Sequence, residues 1–375
     1  MVRRSGVAAL VAVTLSCIAA CSPQAKTTEG ASSLKASTST STSDLGGMAA
    51  LVDAAKKEGT LNVVALPPDR VNYGAIIRGF QARYGLEVND SRPDGTSTDA
   101  ITAAKSLKGR SGAPDVFDLA GPVASANVAM FAPYKVATFD DIPASLKDAD
   151  GLQVSDYGGY LSMGYDASKV PAPKTVTDLL KPAYKGKVAL EDPTKAGAGA
   201  GAVVMAALTL GGSPNDISKG LGFFKALKTA GSLLPVDPKG APIASGRAPV
   251  IFDWDYRNVA RAKELTSWKT VIPAGAVVPG YYVQAINKDA PHPAAARLWE
   301  EYLYSDEGQN LLLKGGARPV REKAMSTSGT INKAAYAALP KATGRPVFLT
   351  RTQSVKANAY LVANWAKVIG AVANR

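Results

Sequence analysis

The chain has 375 residues, a formal net charge of +12, one histidine and two cysteines. Triads built on histidine and His-rich zinc sites need an imidazole held by neighbours, and the sole histidine, His292, lies in a Pro-His-Pro turn where solvation is expected. Cys17 and Cys21 both fall at the start, so the body has no disulfide framework and no four-cysteine metal site.

Arg3 and Arg4 precede a run of small and apolar residues from Gly6 to Ala20. A bilayer span takes about 20 such residues, so residues 1–20 read as a signal peptide. The run ends Ile18-Ala19-Ala20-Cys21, which resembles the lipobox of bacterial lipoproteins. That resemblance implies lipidation at Cys21 and anchoring to the outer side of the cell membrane, facing periplasm or cell surface. Residues 21–47, with a Ser/Thr alternation at their centre, read as a flexible tether. Most of the positive charge lies beyond Leu311, where eleven bases face one acid, Glu322. Those bases are scattered singly without an aromatic-lined groove, so they read as a solvated surface and nucleic acid is not an expected partner.

Leu61–Leu66 is a short apolar run stopped by Pro67-Pro68 and predicts a strand. A helix follows over 73–84, with Ile76, Ile77, Phe80 and Tyr84 on one face and Gly85 as its stop. A strand at 86–88, a helix at 99–107 and a strand at 115–119 continue the alternation. The pattern resumes with a strand at 188–191, helices at 201–210 and 216–230, a strand at 249–253 and a helix near 256–263. A strand at 282–286, helices at 294–304 and from Asp306 to about Gly315, and an amphipathic helix at 355–372 complete it. Such alternation predicts an α/β fold of two lobes with parallel sheets.

In open α/β sheets ligands sit beyond the strand ends. The loops there carry Asp69, Asp94, Thr96, Asp192, Gly197, Asp253, Trp254, Asp255, Tyr256 and Tyr282. These are the candidate ligand-binding residues. Gly95-Thr96-Ser97 and Gly197-Ala198-Gly199 each lead into a helix, so each offers free amides to a ligand. No phosphate-loop or dinucleotide signature accompanies them, and no cofactor or bound metal is expected.

Three stretches carry a family resemblance: Lys56–Val63, Ser245–Tyr256, and Tyr281–Ala296 continuing to Tyr304-Ser-Asp-Glu-Gly-Gln309. Over roughly Asp53 to Arg351 the chain resembles the substrate-binding proteins of bacterial ABC importers, in the branch with polyamine, ferric-ion and aminoethylphosphonate binders. The resemblance implies a class II periplasmic-binding-protein fold. Two α/β lobes would be joined by crossing hinge strands near Tyr160–Tyr165 and Ala276–Tyr282. The implied division is 48–160 for the first part of lobe one, 161–280 for lobe two, and 281–375 for the return to lobe one with the C-terminal helices. It also implies a non-enzymatic monomer that hands a small molecule to membrane permease subunits, with the ATPase on another chain.

Two ligand chemistries compete. A polyamine such as spermidine or putrescine would use the carboxylates for its ammonium groups, with Trp254, Tyr281 and Tyr282 along its methylenes. This is the favoured reading. A phosphonate or phosphate ester would instead use the two helix starts, Lys195 and Arg70. Ferric ion would need a tyrosine pair, and Tyr281 and Tyr282, adjacent on a strand, point to opposite faces. The other readings are a sensor lipoprotein of the same fold and a hydrolase using Asp253 and Asp255 as paired carboxylates.

Overall fold

The computed structural model describes residues 35–238 and 240–370, so the signal-peptide and Cys21 readings fall outside the described residues. Two large hydrophobic cores organise it. One gathers Leu61, Ile76, Phe80 and Tyr157 with Leu298, Trp299 and Leu312. The other gathers Leu161, Met163, Val203, Phe224, Phe252 and Val278 with Leu361 and Trp365. The chain leaves the first core after Tyr157, enters the second at Leu161, touches the first again at Tyr256, and is back in it by Ile286.

The strands are β1 (Thr60–Val63), β2 (Glu87–Asp90), β3 (Val116–Ala120), β4 (Phe131–Ala132), β5 (Val154–Asp166), β6 (Val188–Ala189), β7 (Val250–Trp254), β8 (Trp268–Val271), β9 (Pro279–Asn287) and β10 (Arg318–Pro319). The main sheet runs β3-β9-β5-β7-β6. β5 crosses between the lobes: its first half pairs with β9, from Val154 opposite Gln284 to Tyr160 opposite Pro279. Its second half pairs with β7, beginning at Leu161 opposite Trp254.

Several expectations change. Of the pairings among the described strands, β1–β2 and β6–β7 are parallel and the rest are antiparallel. The predicted parallel sheet fails because β9 returns from lobe two and inserts between β3 and β5, opposed to both. The strand expected over 61–66 stops at Val63, and Ala65 turns the chain with a positive φ of 66°. Residues 35–47, assigned to the flexible tether, are folded onto lobe one. Ala36 and Leu45 are buried there, and Arg297 donates from Nε to the Ser39 carbonyl (2.9 Å) and from Nη2 to that of Ser37 (3.0 Å). A buried guanidinium needs acceptors, and this segment supplies them.

Helix Arg351–Ile369, grouped by sequence with the return to lobe one, packs on lobe two, where Trp365 meets Phe224 edge to face at 5.7 Å. His292 is not solvated: its Nδ1 lies 2.9 Å from Asp115 Oδ2, and its backbone N–H donates to Oδ1 at 2.7 Å. No described helix is long and apolar enough to cross a membrane.

Candidate functional site

The boundary between the cores is where the strand ends meet. β7 ends at Trp254, and helix Asp255–Glu264 starts at the next residue. The half-buried Trp254 packs against both cores. Its ring covers Gly280 on β9, where an added Cβ would come within 2.3 Å of it, so only glycine lets the two segments approach. The helix Gly197–Thr209 begins beside the same ring: a Cβ on Gly197 would sit 4.0 Å from it, and one on Gly201 3.4 Å. Its N-cap, Ala196, has no side chain to satisfy the first-turn amides. Those amides and the helix dipole favour an anion.

Tyr282 lies two residues beyond Gly280 and so on the same face of β9. Its ring stacks on Tyr157, 5.4 Å between centroids with the planes 7° apart. The Arg70 guanidinium carbon is 5.3 Å from the ring centroid. The Arg257 Nη2 approaches the hydroxyl from helix Asp255–Glu264 at 3.5 Å. Two cations from different segments therefore converge on one phenol. A second helix start lies close by. Ser97 Oγ accepts from the amide of Ala120, which is the partner of Tyr282 across β3–β9.

Arg70 is held at a strained turn. Val71 (φ 43°) and Asn72 (φ 72°) both occupy left-handed conformations, which for a β-branched residue is costly. The turn is pinned from outside, since Asn72 Nδ2 donates to the Leu311 carbonyl at 3.0 Å. The Arg70 Nη2 donates to the Ala65 carbonyl and, at 2.8 Å, to Asp118 Oδ2. Its Nε is buried and unpartnered.

Of the sequence candidates, Gly197, Trp254 and Tyr282 meet here. The carboxylates are placed otherwise. Asp253 is buried and pairs with Arg261 (2.7 Å) and more loosely with Arg257 (3.7 Å). Asp255 is fully buried against Arg318 (3.1 Å) and accepts from the Tyr160 amide at 3.0 Å; burial nevertheless pushes its carboxyl up to about 6. Tyr256 is 3% exposed and meets Tyr157 edge to face at 5.8 Å. Asp192 closes its own turn on Thr194, accepting from the amide at 2.9 Å and the hydroxyl at 2.7 Å, with the exposed Lys195 at 3.6 Å. Asp69 and Asp94 are exposed. Thr96 is the N-cap of helix Ser97–Ser106, in a reciprocal box with Asp99. Tyr281 faces away from Tyr282 and stacks on Phe348. Arg257 does not stand out in the sequence: one arginine in the first turns of a helix carries no local mark of burial.

Residues 125–341 match the sequence profile of the bacterial extracellular solute-binding proteins. The chain belongs to that family. Among curated proteins no match was found. Solved structures agree on the fold of this solute-binding protein. A protein from Bordetella parapertussis described as an extracellular solute-binding protein superposes with a TM-score of 0.66 at 17% identity, covering 84% of this chain and 99% of that one. The apo ferric ion-binding protein A of Pasteurella haemolytica gives 0.63 at 18% identity, covering 84% and 100%. A Trichodesmium protein solved in complex with iron and citrate gives 0.60 at 19%, covering 83% and 99%. This solute-binding protein therefore has the two-lobed class II periplasmic-binding-protein fold, and its family is an extracellular one.

Proposed function

We propose that the cargo is a small organic anion bearing phosphate, phosphonate or carboxylate, bound at the boundary of the lobes. The observation that carries this reading is the convergence of Arg70 and Arg257 on Tyr282. The uncapped helix start at Gly197 adds free amides, and the Trp254 and Tyr282 rings supply apolar surface for the rest of the molecule. A polyamine has little to bind, because Asp253 and Asp255 are already matched to arginines. A ferric complex of an anionic chelator is a second reading. It is supported by the Tyr282 hydroxyl at the site and by the iron and citrate of the Trichodesmium protein.

A thermal-shift screen separates these readings, since a ligand that binds only the folded state raises the melting temperature. Phosphate, aminoethylphosphonate, citrate, ferric citrate, spermidine and putrescine form the panel. Stabilisation by an anion, lost in Arg70→Ala and Arg257→Ala, supports the proposal. Stabilisation by spermidine alone overturns it.

The protein is further proposed to work as a monomer tethered by lipid at Cys21, delivering its cargo to permease subunits. The support is Ile18-Ala19-Ala20-Cys21. Replacing Cys21 with serine is expected to release the protein from the membrane fraction; unchanged association refutes the anchor.

A further inference from the structure

Beneath Tyr282 the floor of the site is polar and sealed. Asp118 (β3) and Gln284 (β9) are opposite each other in the sheet, 2% exposed each. Asp156 (β5) is fully buried and accepts from Tyr73 OH at 3.1 Å and Gln284 Nε2 at 3.2 Å. Glu300, on helix Pro293–Leu303, is buried within reach of the charges of Asp156 and Asp118. The other titratable groups facing Asp118 are Arg70, Tyr73, Tyr157 and Tyr304. Asp118 Oδ1, Asp156 Oδ1, Gln284 Oε1, Glu300 Oε1 and Tyr157 OH are all buried without a hydrogen-bond partner. Among the described residues Arg70 is the one cation seen to hydrogen-bond to any of the three carboxyls, and it reaches Asp118 alone.

Three buried acids cannot all be ionised at low cost when Arg70 bonds to Asp118 alone and the buried Arg297 acts on Glu300 only through its charge. Burial pushes Asp156 and Glu300 well above the usual carboxylate range and so favours their neutral forms, with neighbouring acids adding to the effect. Burial also raises Asp118, to about 6, and Arg70 works against that rise. An arriving anion shares the same guanidinium, brings a second negative charge close to Asp118, and removes part of what keeps that carboxylate ionised.

We propose that Asp118 is a proton-binding switch under the cargo site, orienting Arg70 while the site is empty and taking a proton from solvent when an anion engages that guanidinium. The proton goes to Oδ1, the oxygen without a partner, and no other bond is made or broken. Asp118 is a positioning residue, acting through Arg70. This inference rests on the anionic reading of the cargo.

The test is calorimetric titration with the tightest-binding member of phosphate, aminoethylphosphonate and citrate, in buffers of differing ionisation heat. Wild type is expected to take up protons beyond those the probe itself exchanges, and its affinity to fall by up to about tenfold per unit as pH rises from about 6 to 8. Asp118→Asn, which keeps an oxygen for Arg70, should bind with that excess uptake gone and the pH slope flattened. Equal uptake in wild type and variant overturns the switch while leaving the anionic reading standing. If the variant does not fold, a wild-type affinity that is flat with pH, after correction for the probe's own titration, overturns it equally. Failure of all three probes to bind overturns the anionic reading, and the switch with it.

Discussion

Asp255 illustrates how one residue type divides between cargo and scaffold. A carboxylate beside an aromatic at a strand end has the composition of a cation site. Here it accepts from two backbone amides and from Arg318, whose guanidinium also lies 4.2 Å from the centre of the Tyr160 ring. Replacing Asp255 with alanine is expected to cost on the order of 3–5 kcal/mol of stability, because Arg318 is left buried and uncompensated. Urea unfolding measures this; a loss below about 1 kcal/mol would mean that solvent reaches the pair. The sequence could not show the pairing, since Arg318 is 63 residues away and no local pattern connects them. Trp254 and Tyr282 stand out in the sequence because strand-end aromatics next to glycines have few structural uses. Gly280 makes the point: its missing side chain is the space that Trp254 occupies.

At the scale of elements, period and punctuation located the helices well. Helix Tyr73–Tyr84 lies within the predicted bounds, closed by Gly85 in the left-handed region at φ 74°. Strand direction was beyond reach. Alternation of strands and helices is compatible with any order of insertion, and the antiparallel course of β9 depends on a return from lobe two. Helix Arg351–Ile369 shows a related limit. Its buried positions Ala357, Leu361, Trp365 and Ile369 mark one face but say nothing about which lobe receives it. Since Trp365 inserts beside Phe224, Trp365→Ala is expected to destabilise lobe two by about 3–5 kcal/mol. Denaturant unfolding followed by circular dichroism checks this. A variant as stable as wild type would show that the helix merely rests on the lobe.

The whole molecule carries an unusual set of buried acids, and these set its response to pH. Burial raises Asp118 and Asp255 to about 6 and Glu58 to about 7. An acid raised in the folded state keeps a proton that the unfolded chain has lost, so stability falls as pH rises from about 4 through these values. Burial pulls His292 down, but the hydrogen bond and charge of Asp115, with Glu58, outweigh it and leave it raised. Its contribution is complete below about 6.5 and is lost as pH rises through its folded value, so it acts in the same direction. The melting temperature is therefore expected to be higher near pH 5 than near pH 8. Asp255 alone accounts for on the order of 1–1.5 kcal/mol between those limits. A melting temperature that rises over this range would contradict the assignment.

The chain's first described residues are clasped to lobe one by Arg297, and its last described helix is packed on lobe two. These two segments thus report on different lobes, which makes the protein a ready-made optical sensor. Dyes placed at Ser43 and Ala363, both exposed, need no inserted domain and replace none of the candidate binding residues. Energy transfer between them should change on saturation with a bound anion if the lobes rotate about β5 and β9, and should stay constant if they do not. Its amplitude would rank candidate solutes directly, turning the position of two surface segments into an assay for what the protein binds.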